Sequence, residues 1–134
     1  MSDSAEQEFE RAQECLKYWR SQLRLDHIDF EIVLTNPEET RDTLGNCQVA
    51  FVHHRQRIKL RHPDDRTDRD RSIFRRDVEV VIVHELLHTK ETPWRDHPSI
   101  DKVFTEDKWL NRLHEDSLDA VAEALVRVRR GMTR

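Results

Sequence analysis

The run Val78-Glu79-Val80-Val81-Ile82-Val83-His84-Glu85-Leu86-Leu87-His88 admits two readings. Its β-branched residues suit a strand, whereas its length and its last five residues suit a helix. Strands in globular proteins run to about 5–6 residues, and this apolar run is longer. At helical spacing, positions i and i+4 lie on one face a turn apart, so the imidazoles of His84 and His88 can reach a single ion. We therefore expect a buried helix that starts near Ile73, with Ser72 as its N-cap.

Working outward, Ile28, Phe30, Ile32 and Leu34 alternate with Asp29, Glu31 and Val33, the period-two pattern of a strand with one buried face. Asn36-Pro37 stops it, and residues 37–45 read as a connection. Two further strands are expected, Cys47 to His53 and Arg57 to Leu60, paired as an antiparallel hairpin or meander. Residues 62–71 are too polar to bury and read as an exposed loop. Upstream, Phe9, Ala12, Leu16, Trp19 and Leu23 recur at three- and four-residue intervals, which predicts an amphipathic helix from about Ala5 to Leu25. Downstream, Pro93 and Pro98 bracket an irregular connection. A last helix is expected from about Asp107 to Arg130, stopped by Gly131, with Leu110, Leu113, Val121, Leu125 and Val128 as its main apolar stripe. The fold class is α+β: an N-terminal helix, a small mainly antiparallel sheet, the buried helix and a C-terminal helix.

Composition sets the boundaries of this reading. A chain of 134 residues suits one domain spanning 1–134. No apolar run approaches the roughly 20 residues of a membrane span, so no membrane partner is expected. The acidic start Met1-Ser2-Asp3-Ser4-Ala5-Glu6 lacks the pattern of a secretory signal. Cys15 and Cys47 cannot build a disulfide framework and read as reduced structural thiols, which points to the cytoplasm. Formal net charge is -4 with both signs interspersed, an unpromising balance for a nucleic-acid binder. The basic groups Arg55-Gln56-Arg57 and Arg127, Arg129, Arg130 read as solvated faces. With 2 glycines in the chain, a Gly-rich phosphate loop is not expected. No feature of the sequence sets an oligomeric state.

The chemistry lies in His84-Glu85-Leu86-Leu87-His88, an HExxH pattern. Zinc accepts neutral imidazole nitrogen at about 2.0–2.1 Å, and catalytic zinc sites typically use three protein ligands plus water. Glu85, between the histidines, is placed to take a proton from that water, whose pKa the ion lowers toward about 7. One catalytic Zn2+ is the expected cofactor, Glu85 the catalytic residue, and His84 and His88 two of the metal ligands. Glu115, His114, Asp119 and His97 remain open as the third. Glu115 lies far enough downstream for a loop and a returning helix, whereas His114 is nearer the centre of the last helix's apolar stripe. His53 and His54 read as turn histidines, Trp19 and Trp109 as packing residues, and Trp94 as a side chain able to line a cleft.

Together with the later stretch Glu115-Asp116-Ser117-Leu118-Asp119-Ala120-Val121-Ala122-Glu123-Ala124-Leu125, the HExxH pattern resembles the zincin metallopeptidases, specifically small gluzincin-like domains. The similarity extends to the small metalloproteases associated with mobile-element anti-repressors and bacterial stress responses, and in organisation it covers about residues 28–125. Trp94 stands six residues after His88, where the metzincin pattern has histidine, so that subclass is not implied. The resemblance implies a zincin-like fold and zinc-dependent hydrolysis of peptide bonds, with endopeptidase rather than exopeptidase action. It also implies Glu115 as the third ligand and Asp119, four residues on, as the residue orienting a metal-bound histidine. The implied partner is a protein or peptide substrate lying along an exposed strand. The alternative is a non-proteolytic zinc-binding interaction module that retains the fold.

Overall fold

A computed structural model describes residues 3–35, 45–50, 55–61, 78–95 and 97–131. They form α1 (Asp3–Gln22), β1 (Asp29–Thr35), β2 (Gly45–Ala50), β3 (Arg55–Arg61), α2 (Val78–Arg95), α3 (Pro98–Glu106) and α4 (Lys108–Arg129). The Ser72 cap, the helix start at Ile73, and the histidines at 53 and 54 lie outside the described residues. Among the described residues, no helix is long and apolar enough to cross a membrane.

The buried face of α1 carries Ala12, Cys15, Leu16 and Trp19, with Phe9 and Leu23 packed at its margin. Its end is set by backbone geometry. Leu25 N–H donates to Arg20 O at 2.8 Å and Arg24 N–H to Ser21 O at 3.1 Å, the paired bonds of a Schellman stop. Arg24 takes the left-handed turn at φ 58°, and Leu25 drops into the core. The Arg20 side chain ties down the following turn, donating to Ile28 O at 2.9 Å and Asp26 O at 2.7 Å.

The sheet order is β1-β3-β2, with β3 parallel to β1 and antiparallel to β2. It is therefore mixed, not mainly antiparallel as the pattern suggested. Apolar alternation has the same period in either direction, so it says nothing about how β1 is oriented. The charges do. In the parallel register Asp29 stands opposite Arg55 and Glu31 opposite Arg57, and Arg57 Nε lies 3.5 Å from Glu31 Oε2. The other face of the sheet buries Ile32, Ile58 and Leu60.

Every residue from Val78 to Leu86 is buried, because α2 packs against α1, α4 and β2. This all-round burial explains a helix built from β-branched residues: tertiary packing overrides their modest propensity. Contrary to the expected connection, α2 continues through Pro93 to Arg95, and Pro98 opens α3. A proline in a last turn removes a single backbone bond, and at a first helical position its missing N–H has no helical partner to lose. His97 caps α3 by accepting Ser99 N–H on Nδ1 at 3.2 Å. Asp107 ends α3 and caps α4, accepting Trp109 N–H at 3.0 Å and Leu110 N–H at 3.1 Å.

The inward face of α4 departs from the predicted stripe. Ala122 and Val126 are buried, whereas Leu113, Val121 and Val128 are exposed, as is Trp109. The helix is rotated so that polar residues, together with a small alanine, meet α2.

Candidate metal centre

The site is built where α4 crosses α2. One turn of α2 aims His84 and His88 to the same side, and α4 delivers Glu115 against them. His84 Nε2 is 3.0 Å from His88 Nε2, and Glu115 Oε2 lies 3.0 Å from the first and 3.2 Å from the second. Ligands about 2.0–2.1 Å from a tetrahedral zinc are separated by roughly 3.3–3.4 Å, close to this triangle. The donor chemistry agrees. With each ring's proton on Nδ1, both Nε2 atoms present lone pairs beside the Glu115 oxygen, and a shared cation satisfies all three. The three residues can hold a metal ion, and the donor set fits zinc.

The second ring nitrogens are also engaged. Asp119 Oδ1 sits 2.6 Å from His84 Nδ1. Glu91 Oε1 sits 3.0 Å from His88 Nδ1, and its other oxygen, Oε2, is 2.8 Å from His114 Nε2. Histidines that ligate metals commonly donate their remaining N–H to a carboxylate, which fixes tautomer and ring direction. His114, one of the open third-ligand candidates, is thus placed behind the centre, with its ring 5.9 Å from that of His88. His97 is an exposed helix cap. Glu91 was missed in the sequence; the signal available was an acidic residue three positions after His88 on the same helix.

Electrostatics follow from this crowding. Burial opposes charge on His84, but hydrogen bonds to Asp119 and Glu115 outweigh it and push its pKa up to about 10. His88 is likewise raised, with Glu115 overcoming the cost of burial. Burial also disfavours the Glu115 carboxylate, yet the two histidines hold it well below the usual carboxylate range. Glu85 is different. Burial pushes its carboxyl up, and the fields of His84 and His88 only partly counter that. Behind it, Thr89 anchors α2 to the sheet by donating to the buried Gln56 side chain of β3.

Comparison with family models, with curated proteins and with solved structures returned no match for this chain. The functional reading therefore stands on the residues themselves.

Proposed function

We propose that the chain is a zinc-dependent endopeptidase of zincin type, with His84, His88 and Glu115 as ligands and Glu85 as the catalytic residue. The observation that supports it above all is the convergence of three donor atoms from two helices, with a buried carboxyl in the same turn of α2. A zinc ion held there supplies Lewis-acid polarisation of a carbonyl and acidifies a water. Glu85 accepts a proton from the attacking water and passes it to the leaving amine, so that a C–O bond forms as the peptide C–N bond breaks. A carboxyl whose pKa is raised by burial suits both directions of that transfer. Among the described residues, β2 is an edge of the sheet and packs beside α2, so an extended peptide can align there by main-chain hydrogen bonding. The chain's 2 cysteines, too few for a disulfide framework, suit a reducing, cytoplasmic setting.

The test is Glu85→Gln, assayed for cleavage of a denatured protein and for bound zinc. General-base loss typically costs 10²–10⁴-fold; we expect a fall of about that size with zinc content unchanged. Undiminished cleavage by the variant removes Glu85 from the mechanism. Zinc-loaded wild type that cleaves nothing leaves the interaction module instead.

A further inference from the structure

We infer that Glu91 is a positioning residue for His88, and that it acts by dividing its carboxylate between two histidines. The inference rests on the reading of His84, His88 and Glu115 as zinc ligands. Glu91 is 7% exposed, and each of its oxygens meets one ring: Oε1 at 3.0 Å from His88 Nδ1, Oε2 at 2.8 Å from His114 Nε2. His114 comes from α4, and its own ring lies 4.9 Å from that of Phe104 of α3. The carboxylate thus joins α2 to α4, and α3 packs behind the α4 ring that holds it.

The chemistry of the bridge dictates proton positions. An ionised carboxylate only accepts hydrogen bonds, so each ring must present N–H to it. A proton on Nδ1 of His88 leaves Nε2, the nitrogen 3.2 Å from Glu115 Oε2, to offer its lone pair to the metal. Holding Oε2 on His114 fixes the carboxylate plane, and with it the direction of the His88 ring. His114 is therefore a brace for Glu91 rather than a ligand.

An amide breaks this arrangement in a specific way. Glutamine puts one acceptor oxygen and one NH2 donor where Glu91 has two oxygens, and the two rings meet different atoms of that group, so only one ring keeps an acceptor. The oxygen goes to His114, which holds the shorter contact, 2.8 Å against 3.0 Å; His88, left facing NH2, moves its proton to Nε2 and cannot ligate through it. Removing the competing ring by His114→Phe returns the amide oxygen to His88.

Zinc affinity, measured by competition with a chromogenic chelator, tests the proposal without reference to peptide cleavage. Loss of a carboxylate behind a metal ligand typically costs 10–100-fold in metal affinity. We expect about that loss for Glu91→Gln, and recovery of most of it in Glu91→Gln/His114→Phe, with melting of the zinc-stripped proteins as the check on folding. Nitrogen-15 spectra of zinc-loaded wild type need no variant to fold. They should show Nδ1–H on His88 and Nε2–H on His114. Affinity of Glu91→Gln within threefold of wild type overturns the role, as does a loss that the double variant leaves unrecovered, or the opposite tautomer on either ring. Wild type that binds zinc but cleaves no peptide overturns the peptidase reading alone; wild type that takes up no zinc overturns the metal centre and this role with it.

Discussion

His84 and His88 meet Glu115 with protons to lose. Their pKa values are raised, that of His84 to about 10, so at pH 7 the metal-free site holds protons to release, those that keep His84 charged above all. Zinc takes neutral imidazole, and binding must expel them. Because the two Nε2 atoms face each other at 3.0 Å, loading should release roughly one to two protons per ion rather than none. Affinity should therefore climb as pH rises through 7 toward about 10, where His84 loses its proton. Calorimetric titration with zinc at pH 7, in two buffers of different ionisation enthalpy, reads the proton count directly; heats independent of the buffer contradict it. At this scale the sequence was informative in proportion to locality. His84, Glu85 and His88 are legible because one helical turn relates them. Glu115 was reachable only beside His114, since a helical wheel drawn on apolar residues favours the neighbour. Glu91 escaped because a lone acidic residue on a helix has no signature until its partner on another helix is known.

At the scale of elements, the helix ends carry the clearest consequences. Arg24 holds φ 58° at the stop of α1, a conformation that costs a residue with a Cβ but not glycine. Arg24→Gly should stabilise the protein by about 0.5–1 kcal/mol, seen as a higher urea midpoint with an unchanged slope; a lower midpoint contradicts the reading. Periodicity made α1, β1 and the β2–β3 hairpin legible, and the length of the Val78–Leu86 run distinguished a buried helix from a strand. It failed where packing rather than pattern decides. The parallel pairing of β1 with β3 shares its alternation with the antiparallel case. The rotation of α4 follows from the residues that must face α2, Glu115 and Asp119 with Ala122 and Val126, so Val121 and Val128 are left outside despite being apolar. Prolines at 93 and 98 were read as breaks, although each occupies a helical position where few bonds depend on its N–H.

Across the whole molecule, one buried carboxylate ties the scaffold behind the candidate metal centre. Glu79, at the start of α2, accepts from Trp19 Nε1 of α1 at 2.8 Å and from Arg130 Nη2 at 3.0 Å, and Arg129 donates to the same group. Arg129 also lies over the Tyr18 ring at 3.7 Å. These arginines remain exposed, as the sequence reading of a solvated basic face has it, but their guanidinium groups reach a buried partner. Burial alone would push the Glu79 carboxyl up, but Trp19, Arg130 and Arg129 outweigh it and hold it below its ordinary value of 4.5. A carboxyl lowered on folding contributes stability above its unfolded pKa and loses it as pH falls through the folded one. Stability should therefore be full above about pH 5 and decline below that value. Glu79→Gln should cost roughly 1–3 kcal/mol at pH 7 and flatten the acid limb of the curve, measured by urea unfolding across pH. An unchanged acid limb removes Glu79 from this role. The clamp matters for function because α2 and α4, which it joins at one end, supply His84, His88 and Glu115 farther along. X-ray absorption at the zinc edge of the loaded protein tests that convergence most directly. One zinc per chain is expected, bound by two imidazole nitrogens and a carboxylate oxygen at about 2.0–2.2 Å; sulfur bound to the ion, or a single imidazole, would overturn the His84, His88 and Glu115 assignment.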